Sequence, residues 1–480
     1  MRDYSPSSGR RKRALLINPP VYDTRYWNRW SQPAGLLRIA TLLSSEGYRV
    51  ELVDCLSPRK DGRITRRLSD RIRVGDIDMN TYHFGMSLVE LEERLRGLDT
   101  PPTHVYVTSG MTYWWKSTKD VIRLVKRIFP RSEVLLGGIY PTLCPQHADA
   151  NTEADIIVEG EVRRASDLWT DLSLYQEIPK YATISASRGC PYNCAHCAQR
   201  KLNGPGVRHR QPEDVVEEML DKATRYGIRR FAFYEDNILV QSEAYFEKIL
   251  DLLLQKRFRF HLTAPEGFEV RLLHPRVLEK MRAAGFRSIY LPLETASLDG
   301  NIPVDQKKVT LREFETAVEY CRQAGYKPGL RQEVNAFVLY GVPHQPLDVL
   351  VDAIIYAAHL VGNVTPMLYT PVPGSRLYDK YQWYFEEKGL KLEDLNGKLF
   401  PFAELNKMLP SDYVDLQRLM YAFHTQLRGR SFDLYGNALI PSLVRKTLAR
   451  EKVKRGISMD RGHNFAVRNF SGQRRLADER

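Results

Sequence analysis

Long apolar runs are missing from this sequence. No stretch of its 480 residues approaches the roughly 20 apolar residues that cross a bilayer. The opening MRDYSPSSGRRKRALLINPP is basic but has no hydrophobic run of signal-peptide length behind it, so a cytoplasmic location is the expectation. Cysteine is scarce, with six in the chain; this excludes a disulfide scaffold, and in a reducing compartment such thiols stay unpaired. Internal repeats and low-complexity tracts are also absent, which argues against fibrous and disordered classes. At about 150 residues per domain, the length suggests two to four domains.

Acidic residues are the deficient charge: 58 Asp and Glu face 71 Lys and Arg, for a net charge of +13. The excess sits at the ends. Residues 1–13 hold Arg2, Arg10, Arg11, Lys12 and Arg13 against Asp3, residues 445–480 hold eleven basic groups against four acids, and the body between carries only +2. A nucleic-acid partner is therefore not expected. The segment 439–456, LIPSLVRKTLAREKVKRG, is a basic amphipathic candidate. It reads either as a solvated face or as a contact for an anionic partner or membrane surface.

Three of the six cysteines, Cys190, Cys194 and Cys197, fall within eight residues. Such spacing lets three thiolates converge from one loop. A structural zinc ion normally takes four protein ligands, and no fourth cysteine lies nearby, although His196 sits inside the motif. Three thiolates on a four-iron cluster would leave one iron open. Cys55 and Cys321 lie in apolar contexts and read as small hydrophobes, and Cys144 lies in a loop.

Cys-x-x-x-Cys-x-x-Cys after the strand-like YATISASRG resembles the signature of radical S-adenosylmethionine (SAM) enzymes. The resemblance implies a [4Fe-4S] cluster on Cys190, Cys194 and Cys197, which would be the catalytic and metal-binding residues. It further implies that the open iron chelates SAM and that one electron cleaves SAM to a 5′-deoxyadenosyl radical. One departure is His196, where an aromatic residue that packs near adenine is usual.

Beyond the cysteines, helices and strands alternate from 213 to 374: EDVVEEMLDKATRYG, RRFAFYEDN, FRFHLTAP, HPRVLEKMRAAG, SIYLPLETA, LREFETAVEYCRQAG, EVNAFVLYGVP, LDVLVDAIIYAAHLVG and VTPMLYTPVPG. This argues for parallel strands with functional groups at their C-terminal ends. The resemblance then implies SAM contacts from Tyr192, His196, Arg210, Glu235, Asp236, Glu294, Asn335 and Tyr369. Arg208 is a further candidate for the SAM carboxylate, and Glu266, in a turn after a strand, is a candidate substrate contact.

The front third, with ALLINPP, GLLRIATLLSSEG, RVELVDC, HVYVTSG, DVIRLVKRIF, EVLLGG and DIIVEGE, follows a doubly wound α/β pattern. It resembles the cobalamin-binding domain that precedes the barrel in a subgroup of radical SAM proteins. The implied cobalamin contacts are Ser109, Gly110, Met111, Thr112, Gly137, Gly138, Ile139, Glu159 and Gly160. The Asp-x-His-x-x-Gly motif that gives cobalt a histidine is missing, and Met111–Trp115 adds bulk at a strand end, which either lines the corrin or fills a vacated pocket.

The expected fold is therefore α/β: a basic tail (1–13), a Rossmann-like domain of cobalamin-binding type (14–168), a partial (β/α)6 radical SAM barrel (169–385), a helical C-terminal region (386–440) and a basic tail (441–480). The expected function is a cobalamin-dependent methyltransferase acting on an unactivated carbon. Its expected partners are a small-molecule, lipid or peptide substrate and an electron donor such as flavodoxin or ferredoxin. A cobalamin-free radical SAM enzyme performing a rearrangement, cyclisation or C–C coupling and a non-catalytic metal- or corrin-binding module are the alternatives.

Overall fold

In the computed structural model, which describes residues 12–26, 32–59, 62–256, 258–294, 309–329 and 333–426, strand β1 (Arg13–Asn18) is buried from Ala14 to Ile17. Its unbroken apolar run suits a strand covered on both faces. There follow β2 (Val21–Asp23), α1 (Ala34–Ser45), β3 (Arg49–Asp54), β4 (Arg66–Val74), β5 (Ile77–Phe84), α2 (Leu88–Arg96), β6 (His104–Ser109), α3 (Trp115–Ile128), β7 (Glu133–Gly138), α4 (Ile139–Leu143), α5 (Pro145–Thr152) and β8 (Ile156–Ile157). Five of these strands make a parallel sheet ordered β3-β1-β6-β7-β8. Alternate side chains of β1 serve opposite faces: Ala14 and Leu16 join Leu36, Leu37 and Ala40 of α1, while Leu15 and Ile17 join Val121, Ile122 and Val125 of α3. The polar stretch 57–74 contributes β4, which pairs with β5 in an antiparallel hairpin whose other neighbour is β2.

The second unit contains β9 (Ala182–Ile184), β10 (Ser187–Arg188), α6 (Gln199–Asn203), β11 (Arg208–His209), α7 (Pro212–Arg225), β12 (Arg230–Phe233), α8 (Phe246–Leu254), β13 (His261–Thr263), α9 (Pro275–Ala284), β14 (Ile289–Glu294), α10 (Leu311–Gln323), β15 (Val334–Tyr340), α11 (Leu347–Val361) and β16 (Val364–Leu368). Strand β12 pairs in parallel with β9 and β13, and β15 pairs in parallel with β14 and β16. A parallel bridge between Leu262 and Phe286 connects the two groups, so six parallel strands follow one another in chain order. Where α9 ends, Gly285 has φ +119°, and a Cβ there would lie 2.2 Å from the Phe260 carbonyl oxygen; only glycine lets the chain turn into that bridge. Helix α8, which the sequence reading passed over, is amphipathic and buries Phe246, Ile249, Leu250 and Leu253.

Helices α12 (Arg376–Glu387) and α13 (Pro410–Gln426) complete the described chain. As its apolar spacing predicts, α13 buries Tyr413, Leu416, Leu419, Met420 and Phe423 against the barrel core. Among the described residues, no helix is long and apolar enough to cross a membrane. Residues 1–11 of the basic N-terminal tail and the basic segment 439–480 lie outside the described residues.

Candidate active site

The three cysteines occupy the loop between β10 and α6. All three are partly exposed, and none is in a disulfide. The loop is anchored from several directions. Gly189 has φ +89°, and a Cβ on it would lie 2.1 Å from the Gly206 carbonyl oxygen. Its N–H donates to Asp236 at 2.5 Å. On the far side, Arg376 donates to the Asn193 carbonyl at 2.9 Å, and the Leu377 N–H donates to the Ala195 carbonyl at 2.8 Å. Among the described residues, the His, Cys, Asp and Glu ligand atoms gathered within 4.8 Å of one another are those of Glu243, Glu247 and His274.

The Glu243, Glu247 and His274 trio is itself a poor metal site. Glu247 is already paired with Arg276 at 3.1 Å and Lys280 at 3.0 Å. His274 Nδ1 accepts the Val277 N–H, so in the neutral ring Nε2 carries the proton and has no lone pair for a cation.

Glu235 and Asp236 leave the C-terminal end of β12 beside the cysteine loop, but both are engaged with its backbone. Glu235 accepts the N–H groups of Ala186 at 2.5 Å and Ser187 at 2.7 Å, and the Ser187 hydroxyl at 2.6 Å. Their common role is to hold the strand that carries the loop. Burial raises the Glu235 pKa from 4.5 to about 7, against the three hydrogen bonds that favour its charged form. Between those values the folded chain keeps a proton that the unfolded chain has released. This group therefore makes folding less favourable as pH rises from 4.5 to about 7, by on the order of 3 kcal/mol in total. In thermal melts across this window, Glu235→Gln should be less stable throughout but show a flatter decline; an unchanged slope would count against the assignment.

Glu294 ends β14 with φ +56°, beside a register shift between Pro292 and Glu294. A left-handed conformation at a non-glycine residue stores strain of the kind that collects at functional sites. Its carboxylate lies 4.0 Å from His196 Nε2, so the structure joins this strand end to the cysteine loop. Tyr192 lies under the Arg271 guanidinium at 4.6 Å. Glu266 is solvent-accessible, yet surrounding protein, and then the charge of Asp236, raise its pKa. Such a carboxyl belongs to a recess rather than an open surface.

Three expected SAM contacts are instead buried in the protein. Arg210 is buried, donating to Asp214 and Glu218 and to the Ser185 carbonyl; burial alone would lower its pKa, but the two carboxylates raise it. Its donors are engaged in joining β9 to α7. Asn335 is the second residue of β15 and pairs with Tyr290 near the start of β14. It bridges the Ile289 carbonyl and Asn363 at the N-terminal end of the barrel, opposite the cysteines. Periodicity located the strand but not which of its ends each residue occupied. Tyr369 follows β16 at the correct end but is buried, its ring stacked on Phe402 at 5.9 Å. Arg208 also has a protein partner, Glu161, at 2.7 Å.

The front-unit candidates all emerge at the C-terminal edge of their sheet. Ser109 ends β6 and pairs with Gly138 at the end of β7. A Cβ on Gly138 would meet the Ser109 carbonyl oxygen at 2.6 Å, so glycine is required for the two strand ends to meet. Ile139 begins α4, whose Thr142 hydroxyl donates to the Gly138 carbonyl and accepts the Gly160 N–H. Glu159 precedes that glycine in the loop after β8. Thr112, next to Met111 and Gly110, is buried with its hydroxyl lacking a hydrogen-bond partner. Trp114 packs near Gly110 and donates to Asp23 at 3.0 Å, while Trp115 donates to Glu393 at 3.0 Å. Asp23 also receives Asn396 and Lys398. This hub, built from residues far apart in the chain, could not be read from the sequence.

The fold and site thus define an α/β protein with a three-cysteine loop at the C-terminal mouth of parallel strands, next to a second parallel sheet. Residues 184–354 match the model of the Radical SAM superfamily, and this part of the chain is a radical SAM domain. An uncharacterized methyltransferase of Pyrococcus horikoshii is 23% identical over 42% of this chain, which spans 41% of that relative's length. The cytidylyl-2-hydroxyethylphosphonate methyltransferase of Streptomyces wedmorensis is 21% identical over 70% of this chain and 74% of its own. In three dimensions, the radical S-adenosylmethionine methyltransferase TsrM from Kitasatospora setae, solved with cobalamin and a [4Fe-4S] cluster, superposes with a TM-score of 0.53 at 16% identity, covering 78% of each chain. That likeness establishes a shared fold.

Proposed function

We propose that the chain is a cobalamin-dependent radical SAM methyltransferase acting on an unactivated carbon. The observation that carries this reading is the placement of the three-cysteine loop at the barrel mouth, with Glu294 4.0 Å from its His196. The radical SAM domain and the methyltransferase relatives support it. The residues present fit the cofactors: three thiols outside any disulfide with no fourth cysteine in the loop, and on the front sheet a buried Thr112 hydroxyl without a partner. Cys190, Cys194 and Cys197 would hold the cluster, and the loops at Ser109–Thr112, Gly137–Ile139 and Glu159–Gly160 would face the corrin. Bound together, these groups supply radical hydrogen abstraction and methyl transfer. The chain's own part is positional: Glu235 and Asp236 fix the loop backbone, Glu294 offers a carboxylate to the cationic SAM, and Glu266 is the candidate substrate contact. The substrate, a small molecule, lipid or peptide, would enter at this mouth, and a flavodoxin- or ferredoxin-like protein would deliver the electron.

Trp114 favours a second reading, a corrin-free radical SAM enzyme, because its indole packs beside Gly110 and donates to Asp23, filling space at the strand end. After anaerobic reconstitution with iron, sulfide and cobalamin, the protein should retain corrin absorbance through gel filtration and form 5′-deoxyadenosine from SAM. Corrin loss with continued SAM cleavage would select the second reading. No cleavage at all would remove both.

A further inference from the structure

Arg188 and Arg208 are directly opposite one another in the short antiparallel ladder of β10 and β11. Like charges facing across a ladder destabilise it, and Arg188 sits two residues before Cys190. Glu161, from the loop after the last strand of the front sheet, lies between them. Its Oε1 is 2.9 Å from Arg188 Nε and its Oε2 is 2.7 Å from Arg208 Nη2, and its side chain is 13% exposed. Arg208 donates a hydrogen bond to this carboxylate, Arg188 meets it as an ion pair without hydrogen-bond geometry, and Arg163 stands further off at 3.9 Å. The shared negative charge turns a repulsive pair into an attractive one, and its partial burial weakens solvent screening.

The backbone on either side is held as well. The Gly160 N–H donates to the Thr142 hydroxyl, which donates to the Gly138 carbonyl. On the other side, the Gly189 N–H reaches Asp236. A continuous set of polar contacts therefore runs from the strand ends of the front sheet, through Glu161, to the residue preceding Cys190.

We infer that Glu161 is a positioning residue for the cysteine loop, acting from the front unit by neutralising the opposed Arg188 and Arg208. It touches neither cluster nor substrate in this role, and the role holds whether or not the chain uses cobalamin; only its consequence for SAM rests on the proposed function.

The first test uses the full chain without iron. Hydrogen exchange at residues 186–190 should quicken by about tenfold in Glu161→Gln, as expected when a local anchor is lost. Exchange in α9 and α10, remote from the clamp, should stay unchanged. The double variant Glu161→Gln/Arg208→Gln removes the repulsion along with its counter-charge, and it should recover most of the native protection. In the reconstituted protein, Glu161→Gln should hold near-native iron but show an altered electron paramagnetic resonance line shape on SAM addition, again restored in the double variant. Native exchange in Glu161→Gln, or a double variant no better than the single one, would overturn the inference. If Glu161→Gln fails to fold, Arg208→Gln alone provides the test, because Arg188 would then keep Glu161 to itself and 186–190 should remain protected; loss of protection there would also overturn it. A chain that cleaves no SAM but shows the exchange pattern refutes the proposed function and leaves the clamp standing.

Discussion

Cys194→Ala should abolish 5′-deoxyadenosine formation from SAM and leave less iron bound after reconstitution. Two thiolates cannot hold a four-iron cluster in the arrangement that leaves a single iron open, so the expected loss is complete rather than partial. Cys144→Ala is the matched control. Burial raises the Cys144 and Cys321 thiols to about 12 and pushes Cys55 up further, and thiols held protonated are poor ligands and nucleophiles. Cys144→Ala should therefore keep SAM cleavage within about twofold, since surface and half-buried changes away from such features are usually mild. Cleavage surviving in Cys194→Ala, or lost in Cys144→Ala, would reverse the division of the six cysteines.

Gly189→Ala is expected to be the most damaging single-methyl change near the site. The residue has φ +89°, and the added Cβ would lie 2.1 Å from the backbone oxygen of Gly206. A left-handed alanine costs about 1–2 kcal/mol, and the contact with backbone cannot be relieved by a side-chain rotation. The total should be on the order of 3 kcal/mol, read as a lower melting temperature together with poor iron incorporation. Gly206→Ala, where an added Cβ meets nothing within 4 Å, should be tolerated. A Gly189→Ala protein with native melting and iron content would show that the loop is not fixed in this conformation.

The cysteine loop, the alternating strands and helices, and the two parallel sheets were legible in the sequence because each rests on local pattern. Spacing along one loop gives the thiol triad, and apolar runs closed by Gly285 or Gly325 give the strand–helix rhythm. Site residues were legible only so far as a strand end implies a mouth. Glu294 and His196, named separately as site residues, lie 4.0 Å apart in the fold. Arg210 and Asn335 are instead engaged within the protein, because a polar residue near a strand can as readily satisfy a buried neighbour as face a ligand. Asp214 and Glu218 claim the one, and Asn363 and the Ile289 carbonyl claim the other.

What the sequence by itself determined is the chemistry on offer: three closely spaced thiols, acids at strand ends, and a nearly neutral body with its surplus charge in the tails. The tertiary structure alone decided which charges remain for that chemistry. Glu161, one of three residues in an unremarkable Glu-Gly-Glu turn, acquires its role only because folding sets Arg188 opposite Arg208 and brings a carboxylate from another sheet between them. Charge is a property of a residue, but its consequence depends on separations of a few ångströms, and those are fixed by the packing of segments distant in sequence.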